Sequence, residues 1–341
     1  MTSNDQPLVS IVIPVYNQKL TYFRDALESA LVQTYANIEI VVSDNHSTNE
    51  IPHYLSGITD RRLHIRKPDA FVPMAQNFQF GADQAVGDYL VFLCSDDYLC
   101  PDFVGDMVTH LLNYPTISFG YAELACVEHY NLDKVRFYYH RKETGFRPAN
   151  ESLRELLAVR PLLGFFPSLI MRRSAYNSLR HLLSGEVIFA FDIAIVFSLH
   201  ELGDVFYLNR TLGKVRYWTA LDGKTSDDRF LEFVGDTSYV CGLVENMTVV
   251  SKNDVAVANW RKFQARRWLL VALFWSVRGN ISAEKSTRGI RKIKDEIYPH
   301  PLMAGLITWT LKKPQTYLLR PLLKGGFQML WSLQTLFKRP M

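Results

Sequence analysis

Residues 91–103 read VFLCSDDYLCPDF, an apolar run that reaches two adjacent carboxylates, Asp96 and Asp97, with Pro101 four residues further on. Two like charges at the end of a buried strand repel one another unless something offsets them. Adjacent carboxylates bind phosphate poorly but hold magnesium or manganese well, and such a cation bridges to a diphosphate. The pair therefore reads in two ways. It is a site for Mn2+ or Mg2+ with an anionic substrate, or it is a solvated loop with Asp97 or Asp102 facing the first turn of the helix after Pro101.

Other polar groups fall at comparable places along the chain. VSIVIPVYN (9–17) is a buried strand that ends in Tyr16 and Asn17, and IEIVVSDN (38–45) a second that ends in Asp44 and Asn45. Residues 63–66 and 89–93 read as a third and fourth strand, and 116–124 as a fifth. Between them, apolar spacing predicts helices over 23–35, 78–85 and 101–114, with Ser47 or Thr48 capping another that buries Ile51, Tyr54 and Leu55. Strand–helix alternation of this kind predicts an α/β, mostly parallel, doubly wound sheet. Ligands bind such sheets beyond the carboxyl ends of the strands, where Tyr16/Asn17, Asp44/Asn45 and Asp96/Asp97 gather. The edge suits a nucleotide. No G-x-G-x-x-G follows the first strand and no G-x-x-x-x-G-K-[ST] occurs, which argues against a dinucleotide dehydrogenase or a P-loop enzyme.

Composition sets the outer bounds. The 341 residues are 48% hydrophobic and 21% charged, as in ordinary globular proteins. No signal peptide is visible in MTSNDQPL, and no apolar run reaches the roughly 18–20 residues of a membrane span, so the chain reads as cytoplasmic. Four cysteines without C-x-x-C or zinc spacing read as reduced thiols. Charge is uneven: residues 260–341 carry 16 Lys and Arg against three acids, +13, which leaves −9 on 1–259. An acidic body with a basic tail points to an anionic partner surface.

Several ordered pieces together resemble a known family, the inverting family 2 glycosyltransferases of the glycosyltransferase-A (GT-A) fold, over roughly 8–226. VSIVIPVYN is similar to that family's opening strand, ALESALVQTYANIEIVVSDNHST to its first helix and second strand, and GDYLVFLCSDDYLCPDF to its aspartate-rich strand end. The resemblance implies a transferase that moves one sugar from a nucleotide-sugar, with a UDP-sugar the first choice, to a glycan hydroxyl on a lipid-linked polysaccharide precursor. It implies that Pro14, Tyr16 and Asn17 line the donor pocket, and that Asp44 or Asn45 bonds the base edge. Asn77, in VPMAQN, fits the family pattern. Asp96 would face the ribose or the metal, and Asp97 the metal. The chain departs from the pattern where Cys94 replaces a common acid, His46 follows the Asp44-Asn45 pair, and the usual glycine and arginine near 73–77 are missing.

Inversion requires a base for the acceptor hydroxyl. Asp192, in VIFAFDIAIVFSLHELGD, is a lone carboxylate among apolar neighbours, placed where the family has a Glu-Asp pair, with Phe191 in place of the Glu. Its alternative role is to cap a helix over 193–202. Arg216, in GKVRYWTALDGKTS, matches the arginine of a family Arg-x-His loop, with Trp218 replacing the histidine. It reads as a diphosphate contact or as an ordinary strand-end arginine.

The resulting division is a nucleotide-sugar-binding α/β half (1–115), an acceptor-binding and catalytic half (116–226), and a basic, helical C-terminal region (227–341). A Q-x-x-R-W run at 264–268 has no membrane spans beside it and reads as coincidence, with Trp268 in the packing. Residues 301–341 carry six Lys and Arg, no acid, and many large apolar residues. This suits an anionic membrane interface at the cytoplasmic face, or else a packed helical subdomain or homodimer contact. Nucleic acid is not expected, for no reading module accompanies the basic residues.

Overall fold

Seven consecutive buried residues, VSIVIPV, form β1 (Val9–Val15), and a strand buried on both faces must lie inside a sheet covered on both sides. The computed structural model describes residues 6–128, 130–139, 143–158, 166–184, 187–217, 227–251, 254–278, 281–299, 301 and 304–305. The chain forms two units: Met1–Leu156 with Leu162–Thr219 and Thr248–Val250, and Leu157–Pro161 with Ala220–Met247 and Ser251–Met341. The α/β stretches expected at 1–115 and 116–226 share one sheet in the first unit.

In that unit β1 is followed by α1 (Leu20–Leu31), β2 (Ile38–Asp44), α2 (Ile51–Ser56), β3 (Leu63–Arg66), α3 (Met74–Asp83), β4 (Tyr89–Phe92), β5 (Tyr98–Leu99) and α4 (Phe103–Leu112). Then come β6 (Ile117–Glu128), β7 (Asn131–Tyr139), β8 (Gly145–Arg147), α5 (Ala149–Ala158), β9 (Leu169–Arg172), α6 (Arg173–Leu179), α7 (Phe191–Leu199) and β10 (Asp204–Tyr217). Among the described residues they make a ten-stranded sheet of order β3-β2-β1-β4-β9-β6-β10-β5, with β7 beside β6 and β8 beside β10. Strands β3, β2, β1 and β4 run parallel. The mostly parallel, helix-flanked sheet therefore holds there, whereas β9 lies antiparallel to both β4 and β6. Strand β10 returns parallel to β6.

One face of the sheet packs on α1 and α4 through Ile11, Ile13, Phe23, Leu27, Ile40, Val42, Val91 and Phe103. Each such side chain contributes roughly 1.5–3 kcal/mol on burial. Helix α3 lies on Val12 so closely that a Cβ on Gly81 would come within 2.7 Å of that side chain. A polar knot fastens the amino end of the sheet: Glu39 accepts the Ser10 hydroxyl at 2.5 Å and the N–H groups of Val86 at 2.6 Å and Gly87 at 3.1 Å.

Element ends differ from expectation for local reasons. Helix α1 stops at Leu31, four residues before Tyr35, because the Gln33 side chain donates to the carbonyls of Ser29 and Cys100. Ser47 and Thr48 do not cap α2, whose N-cap is Glu50 without a side-chain bond. They bind Asn17 instead. Asp192 does not cap a helix over 193–202 either: α7 begins at Phe191 after Ala190, and Asp192 sits in its first turn.

The second unit is helical: α8 (Asp227–Glu245), α9 (Val255–Arg278), α10 (Ala283–Lys292) and a π turn at Ile293–Ile297. Ser282 caps α10 by accepting the Lys285 N–H. Trp268 is buried, donating from Nε1 to Thr237 at 2.8 Å, as its packing role requires. No helix of the described residues is long and apolar enough to cross a membrane. None of the four cysteines is in a disulfide. Trp218 and most of the basic tail, 302–303 and 306–341, lie outside the described residues.

Candidate active site

The parallel register runs from Val9↔Ile38 to Val15↔Asp44 between β1 and β2, and from Val9↔Tyr89 to Val12↔Phe92 between β1 and β4. It follows that the loops after β1, β2 and β4 open at one edge of the sheet. Pro14 is the penultimate residue of β1, opposite Ser43. Tyr16 stands 51% exposed, and Asn17 takes a left-handed φ of 45°. That turn is held across strands: the Asn17 N–H donates to Ser47 Oγ at 2.9 Å, and Asn17 Oδ1 accepts the Thr48 N–H at 2.7 Å. Asp44 is buried and accepts the Ser47 N–H at 3.0 Å through Oδ1.

Two of the three asparagines expected near the donor, Asn45 and Asn77, are buried and face the protein. Asn45 Nδ2 donates to the Val72 carbonyl at 2.8 Å while its Oδ1 accepts the Val72 N–H at 3.0 Å. Asn77 Oδ1 accepts the Ser43 hydroxyl at 2.6 Å, and its Nδ2 donates to the Ser43 carbonyl at 3.1 Å. Both stitch neighbouring backbone to the end of β2.

Beyond β4, the turn Cys94–Asp97 is closed by the Asp97 N–H donating to the Cys94 carbonyl at 3.1 Å. Asp97 is 5% exposed, and Asp96 beside it is partly exposed. Burial holds the Asp97 carboxyl well above the usual carboxylate range, and the Asp96 charge adds to that. Donors from Arg216 and the Cys94 thiol oppose it only in part. The Arg216 main-chain N–H reaches Asp97 Oδ1 at 3.1 Å. Burial also pushes the Cys94 thiol up, and the charges of Asp97, Asp96 and Asp192 act on it in the same direction. The Asp192 carboxylate is therefore close enough to be felt at the turn carrying Asp96 and Asp97. Its Oδ1 accepts the Ile193 N–H at 2.8 Å.

Arg216, at the end of β10, is itself 3% exposed. Its guanidinium pairs with Asp25 of α1 and lies 4.4 Å over the Tyr22 ring. The expectation of an exposed strand-end arginine is thus replaced by a buried cation that needs an acid beside it.

Two residues of this edge, Asp25 and Phe71, went unnoticed in the sequence, and Phe191 was noted only as standing in place of a Glu. Asp25 holds Arg216. Phe71, 59% exposed, meets the Tyr16 ring edge-on at 4.8 Å. Phe191, buried, packs on Phe78 at 5.1 Å and Phe166 at 6.0 Å, which anchors the first turn of α7 next to Asp192. Only the apolar character of Phe191 could have hinted at its place, since the other two depend on long-range pairing.

Among the described residues no three His, Cys, Asp or Glu side chains form a ready cage for a metal. Magnesium and manganese seldom need one, taking one or two carboxylates and completing the shell with water and substrate phosphates. Asp96 and Asp97 suit that donor set, for a buried carboxyl crowded by its neighbour is stabilised by a cation.

A doubly wound domain that brings carboxylates and an aromatic corner to the carboxyl edge of its parallel strands has the architecture of a GT-A domain. Residues 10–179 match the family model for glycosyl transferase family 2, and through this domain the chain belongs to that family. Over 115 residues, 34% of this chain and 45% of the relative, it is 35% identical to the UDP-Glc:alpha-D-GlcNAc-diphosphoundecaprenol beta-1,3-glucosyltransferase WfaP of Escherichia coli. Over 137 residues, 39% of this chain and 18% of the relative, it is 32% identical to glycosyltransferase GlyA of Streptococcus pneumoniae serotype 4. The chain thus spans less than half the length of these curated relatives. Its fold is similar to that of S. aureus TarS 1–349 solved with UDP-GlcNAc, at TM-score 0.61 and 16% identity, covering 93% of this chain and 86% of TarS 1–349.

Proposed function

We propose that the chain is a metal-dependent, inverting glycosyltransferase that moves one sugar from a nucleoside diphosphate sugar to a hydroxyl of a lipid-linked glycan. The carrying observation is the pairing of Asp96 with the buried Asp97 on the turn after β4 of a family 2 domain, where the Asp192 charge also acts on Cys94. UDP-GlcNAc is bound in a TarS structure, and the E. coli relative is named for a UDP-sugar donor and a diphosphoundecaprenol acceptor, which supports a UDP-sugar and a lipid-linked acceptor here.

In this reading Asp192 takes the proton of the acceptor hydroxyl as its oxygen bonds to the anomeric carbon. The bond from that carbon to the diphosphate oxygen breaks on the opposite face, and the nucleoside diphosphate leaves with the electron pair. Asp96 and Asp97 would hold Mn2+ or Mg2+, which supplies charge neutralisation for the leaving diphosphate. Pro14, Tyr16, Asn17 and Asp44 line the donor site, while Asn45 and Asn77 shape it from behind. Arg216 fixes Asp97 through its main chain and adds positive potential. The basic, apolar-rich residues 301–341 rest on an anionic membrane surface, close to a lipid-linked acceptor.

Thermal shift against a panel of nucleotide-sugars, with and without manganese, tests the reading, followed by nucleotide release in the presence of acceptor lipid. Stabilisation by one donor only with metal, and release only with acceptor, are the expected results. No shift with any nucleotide-sugar would overturn it in favour of a subunit that keeps the fold without the chemistry.

A further inference from the structure

Arg216 approaches Asp97 with its main chain and turns its side chain elsewhere. The Arg216 N–H reaches Asp97 Oδ1 at 3.1 Å, whereas the guanidinium donates to Asp25 Oδ2 on α1. Burial and the Asp96 charge lead among the influences on the Asp97 carboxyl, and the Arg216 charge comes last, behind the Arg216 N–H and the Cys94 thiol. The slot that receives the guanidinium is made by one turn of α1. Tyr22 and Asp25 stand three residues apart and share a helix face. The Tyr22 ring lies under the guanidinium, 4.4 Å from its centroid, and the Asp25 carboxylate meets its end. There the Arg216 side chain is 2% exposed and that of Asp25 40%.

A buried cation of this kind is a poor fastening, because desolvation offsets most of the attraction, and apolar residues of similar volume would tie α1 to β10 as well. Its charge matters more for where it would otherwise go. The arginine side chain is long and flexible, and its main chain is already bonded to Asp97. Without an acid at position 25, the buried guanidinium would be uncompensated, and pairing with Asp96 and Asp97 would be its nearest relief. That pairing would fill the two carboxylates that suit Mn2+ or Mg2+. We propose that Asp25 is a positioning residue for metal binding, which holds the Arg216 guanidinium in the Tyr22 slot and so keeps Asp96 and Asp97 open for the cation. This rests on the metal reading of the aspartate pair given above. Asp25 acts here through Arg216 and not as a ligand.

The test is titration of the full chain with Mn2+ alone, free Mn2+ being read by electron paramagnetic resonance and the fold by near-ultraviolet circular dichroism. Asp25→Asn removes the charge at nearly constant shape and should weaken Mn2+ about ten- to hundredfold with the native signal kept. Asp25→Glu restores the charge and should recover most of that loss. Arg216→Met removes the competing cation and should bind Mn2+ at least as tightly as wild type, and adding Asp25→Asn to it should cost nothing further. Equal binding by Asp25→Asn and wild type overturns the proposal, as does an equal loss in Asp25→Glu, or a further loss when Asp25→Asn is added to Arg216→Met. Should Asp25→Asn alone fail to fold, Arg216→Met and the double variant decide: binding at least as tight as wild type in both supports the role, and weaker binding in either overturns it. Failure of wild type to bind Mn2+ overturns the metal reading itself, and so is told apart from failure of the role of Asp25.

Discussion

Replacing Asp97 by asparagine should make the protein more stable and inactive at once. The side chain is 5% exposed, and burial and the Asp96 charge together outweigh the help of Arg216 and Cys94, so the folded carboxyl titrates above the usual carboxylate range. Asparagine has the same shape and keeps an oxygen for the Arg216 N–H, so the substitution removes charge with little loss of hydrogen bonding. Relief of one such functionally strained group typically contributes about 0.5–2 kcal/mol. At about 1 kcal/mol, a unit of this size gains about 2–4 °C. The pH dependence follows in sign. Below the unfolded value both states are protonated and the variant has no advantage. As pH rises the unfolded chain ionises first, so wild type loses stability until the folded carboxyl has ionised too. Melting in chelator at about pH 2.5, well below the unfolded carboxyl value, and at pH 7.5 should therefore show equal midpoints at the lower pH and a higher midpoint for Asp97→Asn at the higher. Adding manganese and donor should raise only wild type. A variant that melts below wild type at pH 7.5, or that still gains from metal and donor, would refute this account of the pair.

Asp192→Asn should lower turnover about 10²- to 10⁴-fold with donor binding unchanged, measured as nucleotide release against thermal shift; normal turnover removes Asp192 from the base role. Gly87→Ala should cost about 1–3 kcal/mol in urea unfolding, because a Cβ there would lie 2.5 Å from Ser10 Oγ and 2.7 Å from the Leu8 carbonyl. A midpoint equal to wild type would show that the knot around Glu39 yields freely. Deleting 302–341 should release the protein from anionic vesicles in a sedimentation assay while leaving the donor shift intact, and continued pelleting would refute the membrane role.

The sequence was most legible where burial and period coincide. The third strand falls on Leu63–Arg66 as expected, and the fully buried β1 and β2 end within two residues of their expected limits. The Asp96/Asp97 turn was legible for a related reason, since two adjacent charges at the end of a buried strand are costly unless a ligand or a cap offsets them. The bonds of Asn45 and Asn77 were not legible, because an amide that binds a base and one that binds a neighbouring carbonyl look alike in sequence. Which it does depends on backbone 27 and 34 residues away. Phe71 was missed because exposure of an aromatic residue is set by the loop clamped around it, not by its own spacing. The antiparallel place of β9 could not be read from its four residues, for its partners are β4 and β6, both remote in the chain.

That place of β9 has a bearing on how the protein is made. Twelve almost wholly buried residues of β6 leave the ribosome well before β9 fills the gap to β4, and before β10 covers the other edge from Ile117 to Glu128. At about 5–20 residues per second, the interval from the end of β6 to the end of β10 is on the order of ten seconds. Throughout it β7 pairs with only the far end of β6, and the edge that β10 will cover keeps unpaired N–H and C=O groups, a template for pairing with other chains. A truncation at 179, where the family match ends, would make that interval permanent, so expression of the isolated family domain should depend on chaperones or fail through aggregation.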